Sequence, residues 1–211
     1  MKLSSPAARA AFAAAGVHVL AAGAMLVALE PGLPVAGSAL AARMAHVSER
    51  TAVWWLGWLV WHAADFALLA FYVALAARWG RWAPIRCRLA LLLAGAGLAD
   101  DLGAQVVYMA VAPRLGPEAF VVAEAVAGVL TGYVANGLYT VAGLLLVWAG
   151  ARELPCYLVA LSLPVWAAGF GLSAASLVGS PDGQFWSVAV LMPAFIGWTL
   201  LMGRWLSARA S

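Results

Sequence analysis

Apolar residues run along this chain in long blocks. They show neither the alternation of a half-buried strand nor the one-sided stripe of a soluble helix. Six blocks stand out, at about 11–29, 53–77, 89–112, 119–150, 158–177 and 186–206. Each is close to or above the ~20 residues a helix needs to cross the hydrocarbon of a bilayer. Lipid offers the backbone no hydrogen bonds, so such runs fold as helices. The pattern predicts an all-α fold, a polytopic bundle of six transmembrane helices forming one integral-membrane domain over residues 1–211.

The stretches between blocks add detail. Pro31-Gly32 reads as a helix stop. Residues Ala36 to Thr51 place Leu40, Met44 and Val47 on one face and Arg43, His46 and Arg50 on another. That spacing predicts a short interfacial helix between the first two transmembrane helices. The fourth block opens at Gly116-Pro117, with Pro117 suited to a first helical turn. At about 1.5 Å per residue it is too long for one straight crossing. It predicts either a surface helix leading into a span or a long helix bending near Gly128, Gly132 or Gly137. Gly179-Ser180-Pro181-Asp182-Gly183 reads as a tight turn. Corresponding segments of the two halves share no pattern that marks an internal repeat.

Composition agrees with this reading. Of 211 residues 65% are hydrophobic and 10% charged. A soluble domain carries about 25% charged residues, so that class is excluded. The sequence pI of about 9.2 does not point to nucleic acid, because the basic residues fall between apolar blocks. Lys2, Arg9, Arg78, Arg81, Arg86, Arg88, Arg152, Arg204 and Arg209 lie on one side, and Arg43, Arg50 and Arg114 on the other. The bias places both termini in the cytoplasm of a bacterial-type inner (plasma) membrane. Lys2 and Arg9 precede an apolar run as in a secretory signal, but the run continues to Glu30 without a small-residue cleavage site. Cys87 and Cys156 fall on the cytoplasmic side and are expected as free thiols. Of eleven tryptophans, Trp54, Trp55, Trp82, Trp186 and Trp205 fall at block ends, as interfacial anchors do. Trp58, Trp61 and Trp166 sit deeper, either as packing or as an aromatic wall around a ligand.

The candidate chemistry lies at the middle of the blocks. Gly95 to Tyr108 carries adjacent carboxylates, Asp100 and Asp101, in an otherwise apolar crossing. A charge at that depth costs about 2.5–3.5 kcal/mol on insertion scales, so it must be paired, protonated or turned to a cavity. Counting to the centre of each block, with the fourth crossing taken from about Ala127 to Trp148, puts His18, His62 with Asp65, Asp100 with Asp101, and Asn136 with Tyr139 at similar depth. Residues three or four apart share a helix face. His62 joins Asp65 on one face, Asn136 joins Tyr139 on another, and Asp101, Gln105 and Tyr108 form one stripe. Tyr133 and Glu124 are placed outward of Asn136 in the same way. Asp100 points about 100° away from Asp101. One of them is expected to pair within the bundle, with His62 or His18, and Asp101 is expected to face a cavity.

Three readings fit such a belt. Asn, Gln or Tyr can simply bond helices together, although Ser, Thr and Asn would do so at lower cost than three acids and two histidines. A metal site has suitable donors in His62, Asp65, Asp100 and Asp101, but no HxxxH, HExxH or ExxH spacing. A protonatable carboxyl beside a histidine can serve acid–base chemistry or proton-coupled transport. No GxSxG elbow, DDxxD pair, Walker motif or dinucleotide fingerprint is present. The layout is similar to that of membrane-embedded sterol isomerases and terpene cyclases, in architecture and not in motif.

The first expectation is acid–base chemistry on a lipophilic substrate. Asp101, Asp65, His62 and Asp100 are the catalytic candidates. Asn136, Tyr139, Gln105, Tyr108, Tyr133, Trp58, Trp61, His18 and Glu124 are the substrate-binding candidates. The alternatives are a proton- or cation-coupled transporter and a regulatory protein holding a partner through Arg78 to Arg88. No metal or other cofactor and no nucleic-acid partner is expected. The expected partners are the bilayer and a lipophilic small molecule.

Overall fold

A computed structural model of the chain describes residues 5–35 and 38–209. Lys2 and Ala36 lie outside these residues. The described residues are helical, without strands. The helices are α1 (Pro6–Ala24), α2 (Leu40–Glu49), α3 (Thr51–Trp79), α4 (Pro84–Val106), α5 (Pro117–Gly128), α6 (Asn136–Gly150), α7 (Cys156–Leu177) and α8 (Pro181–Ala208). Three continue as wider or tighter turns, so six rods are long and apolar enough to cross a membrane: Pro6–Gly32, Thr51–Trp79, Pro84–Arg114, Pro117–Gly150, Cys156–Leu177 and Pro181–Ala208. They make this an integral, multi-pass membrane protein by length and composition.

Every rod starts two to five residues earlier than its apolar block and most end later, because polar first and last turns are helical but outside the hydrocarbon. Pro6, Pro84, Pro117 and Pro181 open their helices, where the missing N–H costs nothing. Ser5 and Ser180 cap α1 and α8 by accepting the amides of Ala8 and Gly183, each at 3.2 Å. Gly179 makes the turn before α8 in the left-handed region (φ 65°), which only glycine enters freely.

The end of the first rod and the end of the third share one device. Each has a five-residue π turn, Met25–Leu29 and Val107–Val111. Each then closes with a three-residue 3-10 turn centred on a proline, Pro31 or Pro113. A proline ring excludes the carbonyl four residues earlier, here Val27 and Met109, and the preceding turn widens. The fourth block is one rod of 34 residues with a seven-residue π turn, Val129–Ala135, around Gly132. No separate surface helix leads into it.

The expected short helix is α2, but its faces differ from expectation. Arg43 is buried beside Val47 and does not join the outer polar face. Trp54, expected as an interfacial anchor, is fully buried. Its indole N–H donates to the Tyr108 carbonyl at 2.9 Å.

Two hydrophobic cores result. The larger joins α1, α3, α4, α6, α7 and α8, around Phe71, Trp79, Leu146, Trp198 and Met202. The smaller joins Leu29, Val47, Trp54, Trp58, Met109 and Phe120 beneath α2.

Candidate functional site

The boundary between the cores is polar, and three rods cross it at one depth. On α3, Trp58 belongs to the smaller core and Leu68 to the larger, with Asp65 between them. On α4 the pair is Ala104 and Leu98, with Asp101 between. On the fourth rod it is Ala127 and Ala135, with Thr131 between. Asp65 and Asp101 are both buried, and their carboxyls lie within hydrogen-bonding reach of each other. The Gln105 amide nitrogen donates to Asp65 Oδ2 at 2.5 Å. The Thr131 hydroxyl donates to Asp101 Oδ1. The π turn Val129–Ala135 contains Thr131, so a widened turn carries the hydroxyl that meets α4.

Close packing sets the remaining neighbours. A Cβ on Gly97 would stand 3.1 Å from both the Ala135 carbonyl oxygen and the Tyr139 ring. Glycine there lets α4 approach the fourth rod and brings Tyr139 within electrostatic reach of Asp65 and Asp101. The Tyr72 hydroxyl supports Tyr139 from below, donating to its carbonyl at 3.1 Å. His62 donates Nδ1–H to the Trp58 carbonyl at 2.9 Å and lies within electrostatic reach of Asp101. Four polar atoms on these three rods are buried with no protein partner: Gln105 Oε1, Tyr139 Oη, and the indole nitrogens of Trp58 and Trp61. Native structures rarely leave such atoms unmet, so this cluster has hydrogen-bonding capacity to spare.

Polar and aromatic groups continue from the pair towards α2. The rings of Trp58 and Tyr108 stack at 4.8 Å, and Trp54 meets both edge-on. The Tyr108 hydroxyl donates to the Glu124 carbonyl at 3.4 Å. Above it, Arg43 grips Glu124 with two bonds, Nε to Oε1 at 2.9 Å and Nη2 to Oε2 at 2.8 Å. Arg43 Nη1 also donates to the Ser38 carbonyl at 2.9 Å. The Glu124 carboxylate raises the Arg43 pKa above its ordinary value, so the guanidinium stays charged. His46 Nε2 lies 2.8 Å from the Ala28 carbonyl and fixes α2 to the first rod. The column runs from the carboxyl pair to a bidentate ion pair that clamps α2 over it.

The structure therefore gathers Asp65, Asp101, Gln105, Tyr139, His62, Trp58, Trp61 and Tyr108 in one column, with Glu124 at its α2 end. Other candidates lie elsewhere. Asp101 was expected to face a cavity, but it packs inside the bundle against α3 and the fourth rod. Asp100, half-buried, lies to one side and pairs with neither His62 nor His18. His18 donates to the Ala14 carbonyl at 2.8 Å and packs on Phe195 of α8. Tyr133 is 41% exposed, on the outer surface of the bundle. Asn136 turns to α7, donating to the Gly169 carbonyl at 2.6 Å and to Ser173 Oγ at 2.9 Å. It bonds helices together.

Thr131 and Arg43 were missed. Counting over the whole fourth rod, Pro117 to Gly150, puts its centre near Tyr133, within one turn of Thr131. Arg43 lies at spacing three and four from Leu40 and Val47, which was the signal for an inward face. Among the described residues, no three His, Cys, Asp or Glu side chains come together as a metal-holding group. Comparison with family models, curated proteins and solved structures gives no match to this chain.

Proposed function

We propose that this protein couples proton uptake at the Asp65–Asp101 pair to passage of a small solute across the membrane. The observation that carries the reading is the column itself: two buried carboxyls in contact, between two hydrophobic cores, below a polar and aromatic path closed by α2. Two carboxylates this close repel unless a proton lies between them. The pair is thus a site that holds one proton, with its carboxyls oriented by the Gln105 amide and the Thr131 hydroxyl and with the Tyr139 ring beside them. Arg43–Glu124 is the closure at the far end. With both termini cytoplasmic, as the arginine bias indicates, that closure faces outward.

The test is proton flux into proteoliposomes containing wild type or Asp101→Asn protein. A pH gradient dissipated by wild type and held by the variant supports the reading. With the low-molecular-weight fraction of a cell extract supplied as the source of solute, equal leak from wild type and protein-free vesicles overturns it.

A second reading is acid–base catalysis on a lipophilic substrate, with Asp101 moving the proton and Trp58 and Trp61 forming the wall. The four unpartnered polar atoms on these rods favour it, since a bound substrate would satisfy them. Lipid extracts from cells making either protein would differ in one converted lipophile, and identical extracts would overturn it.

A further inference from the structure

At the opposite end of the bundle, where the α3–α4 turn meets the end of α6, lies a cleft of about 270 Å³. Trp82, Pro84, Ile85, Arg86, Trp148 and Arg152 line it. Its chemistry is one-sided. Arg86 and Arg152 form no ion pair among the described residues, and no acid lines the cleft. The adjacent acid, Glu153, is already engaged. It accepts from Arg78 Nε at 2.9 Å and from the Trp79 indole at 3.2 Å. Arg86 lies over Trp148, its guanidinium carbon 3.7 Å from the ring centroid. A guanidinium held against an aromatic ring keeps N–H donors for a planar or tetrahedral anion. Trp82 is a fixed wall, since its N–H donates to the Ala149 carbonyl at 3.2 Å. Ile85 and Trp148 are 80% and 58% exposed, so an apolar surface starts at the rim of the cleft.

A basic pocket between spanning helices, opening onto exposed apolar side chains, matches a molecule with an anionic head and hydrocarbon tails. We infer that this cleft binds the phosphate of an anionic phospholipid between Arg86 and Arg152, with the acyl chains lying along Trp148 and Ile85. The site is independent of the carboxyl column.

Native mass spectrometry of the full chain in detergent tests it, with dioleoyl phosphatidylglycerol and dioleoyl phosphatidylcholine added at equal concentration. Wild type retains the anionic lipid in preference to the zwitterionic one. Arg152→Gln lowers that preference about fivefold, and Arg86→Gln/Arg152→Gln removes it. Inorganic phosphate added alone does not displace the lipid. Equal retention of the two lipids overturns the assignment, as does a preference unchanged in Arg152→Gln. Displacement by inorganic phosphate would reassign the cleft to a free anion. Arg152 is exposed on a turn, so its single variant keeps the test decisive even where the double variant fails to fold.

Discussion

Gln105 uses its amide nitrogen on Asp65 and leaves its oxygen without a partner, deep between two helices. Gln105→Leu keeps the volume and removes the donor, so the Asp65 carboxyl loses a bond it cannot replace. The expected loss is about 1–3 kcal/mol, read as a lower unfolding temperature in detergent. Thr131→Val removes the donor to Asp101 with almost no change of shape, and a loss of similar size is expected. If both variants unfold like wild type, these bonds do not hold the site together.

The Arg43–Glu124 pair is the second place where single residues decide much. Arg43→Gln leaves a buried carboxylate alone and should cost about 3–5 kcal/mol, measured by thermal unfolding. Arg43→Met/Glu124→Leu should recover most of that loss, because an apolar pair needs no desolvation. The pH dependence has a definite sign. The Arg43 pKa is raised in the folded state, so its contribution is complete below the ordinary arginine value and fades only as pH rises through the higher folded one. Between pH 5 and pH 9, about the usable range, the arginine side of this pair should add no slope to stability.

At the scale of elements, glycines separate the faces of α4. Gly97 faces the Ala135 carbonyl and Tyr139, whereas a Cβ at Gly103 on the same helix would meet nothing within 4 Å. Gly97→Leu should push α4 from the fourth rod and destabilise by about 1–3 kcal/mol. Gly103→Leu should be neutral or stabilise by up to about 1 kcal/mol through helix propensity. Paired melting curves in one detergent check this, and equal effects would show that α4 does not pack at Gly97. The contact between the fourth rod and α7 is of another kind. Asn136, Ser173 and the Gly169 carbonyl take part in it, so polar groups help join those helices.

For the whole molecule, one exposed thiol reports on sidedness. Cys156 is exposed at the start of α7 and Cys87 is buried, and both are free. If the termini face the cytoplasm, an impermeant maleimide should leave Cys156 unlabelled in intact cells and label it in inside-out vesicles. Labelling from outside would reverse the orientation and place α2 on the cytoplasmic face.

The sequence alone determined the number, order and approximate length of the spanning helices. Burial of about 20 apolar residues in lipid is a local property that a window of sequence records. It also determined that carboxyls would lie at mid-depth, since counting along a helix gives depth. Asp65 and Asp101 were legible for that reason, and Gln105 by its spacing of four from Asp101. Which polar groups meet was settled by how the helices pack. Thr131 reached Asp101 through a π turn, and Asn136 turned to α7 although Tyr139, one turn later, faced the acids. Arg43 went inward because Glu124, 81 residues away, was there to receive it. Facing depends on helix rotation, on widened turns and on close glycine contacts. These are set by packing between distant segments, and no local pattern contains them.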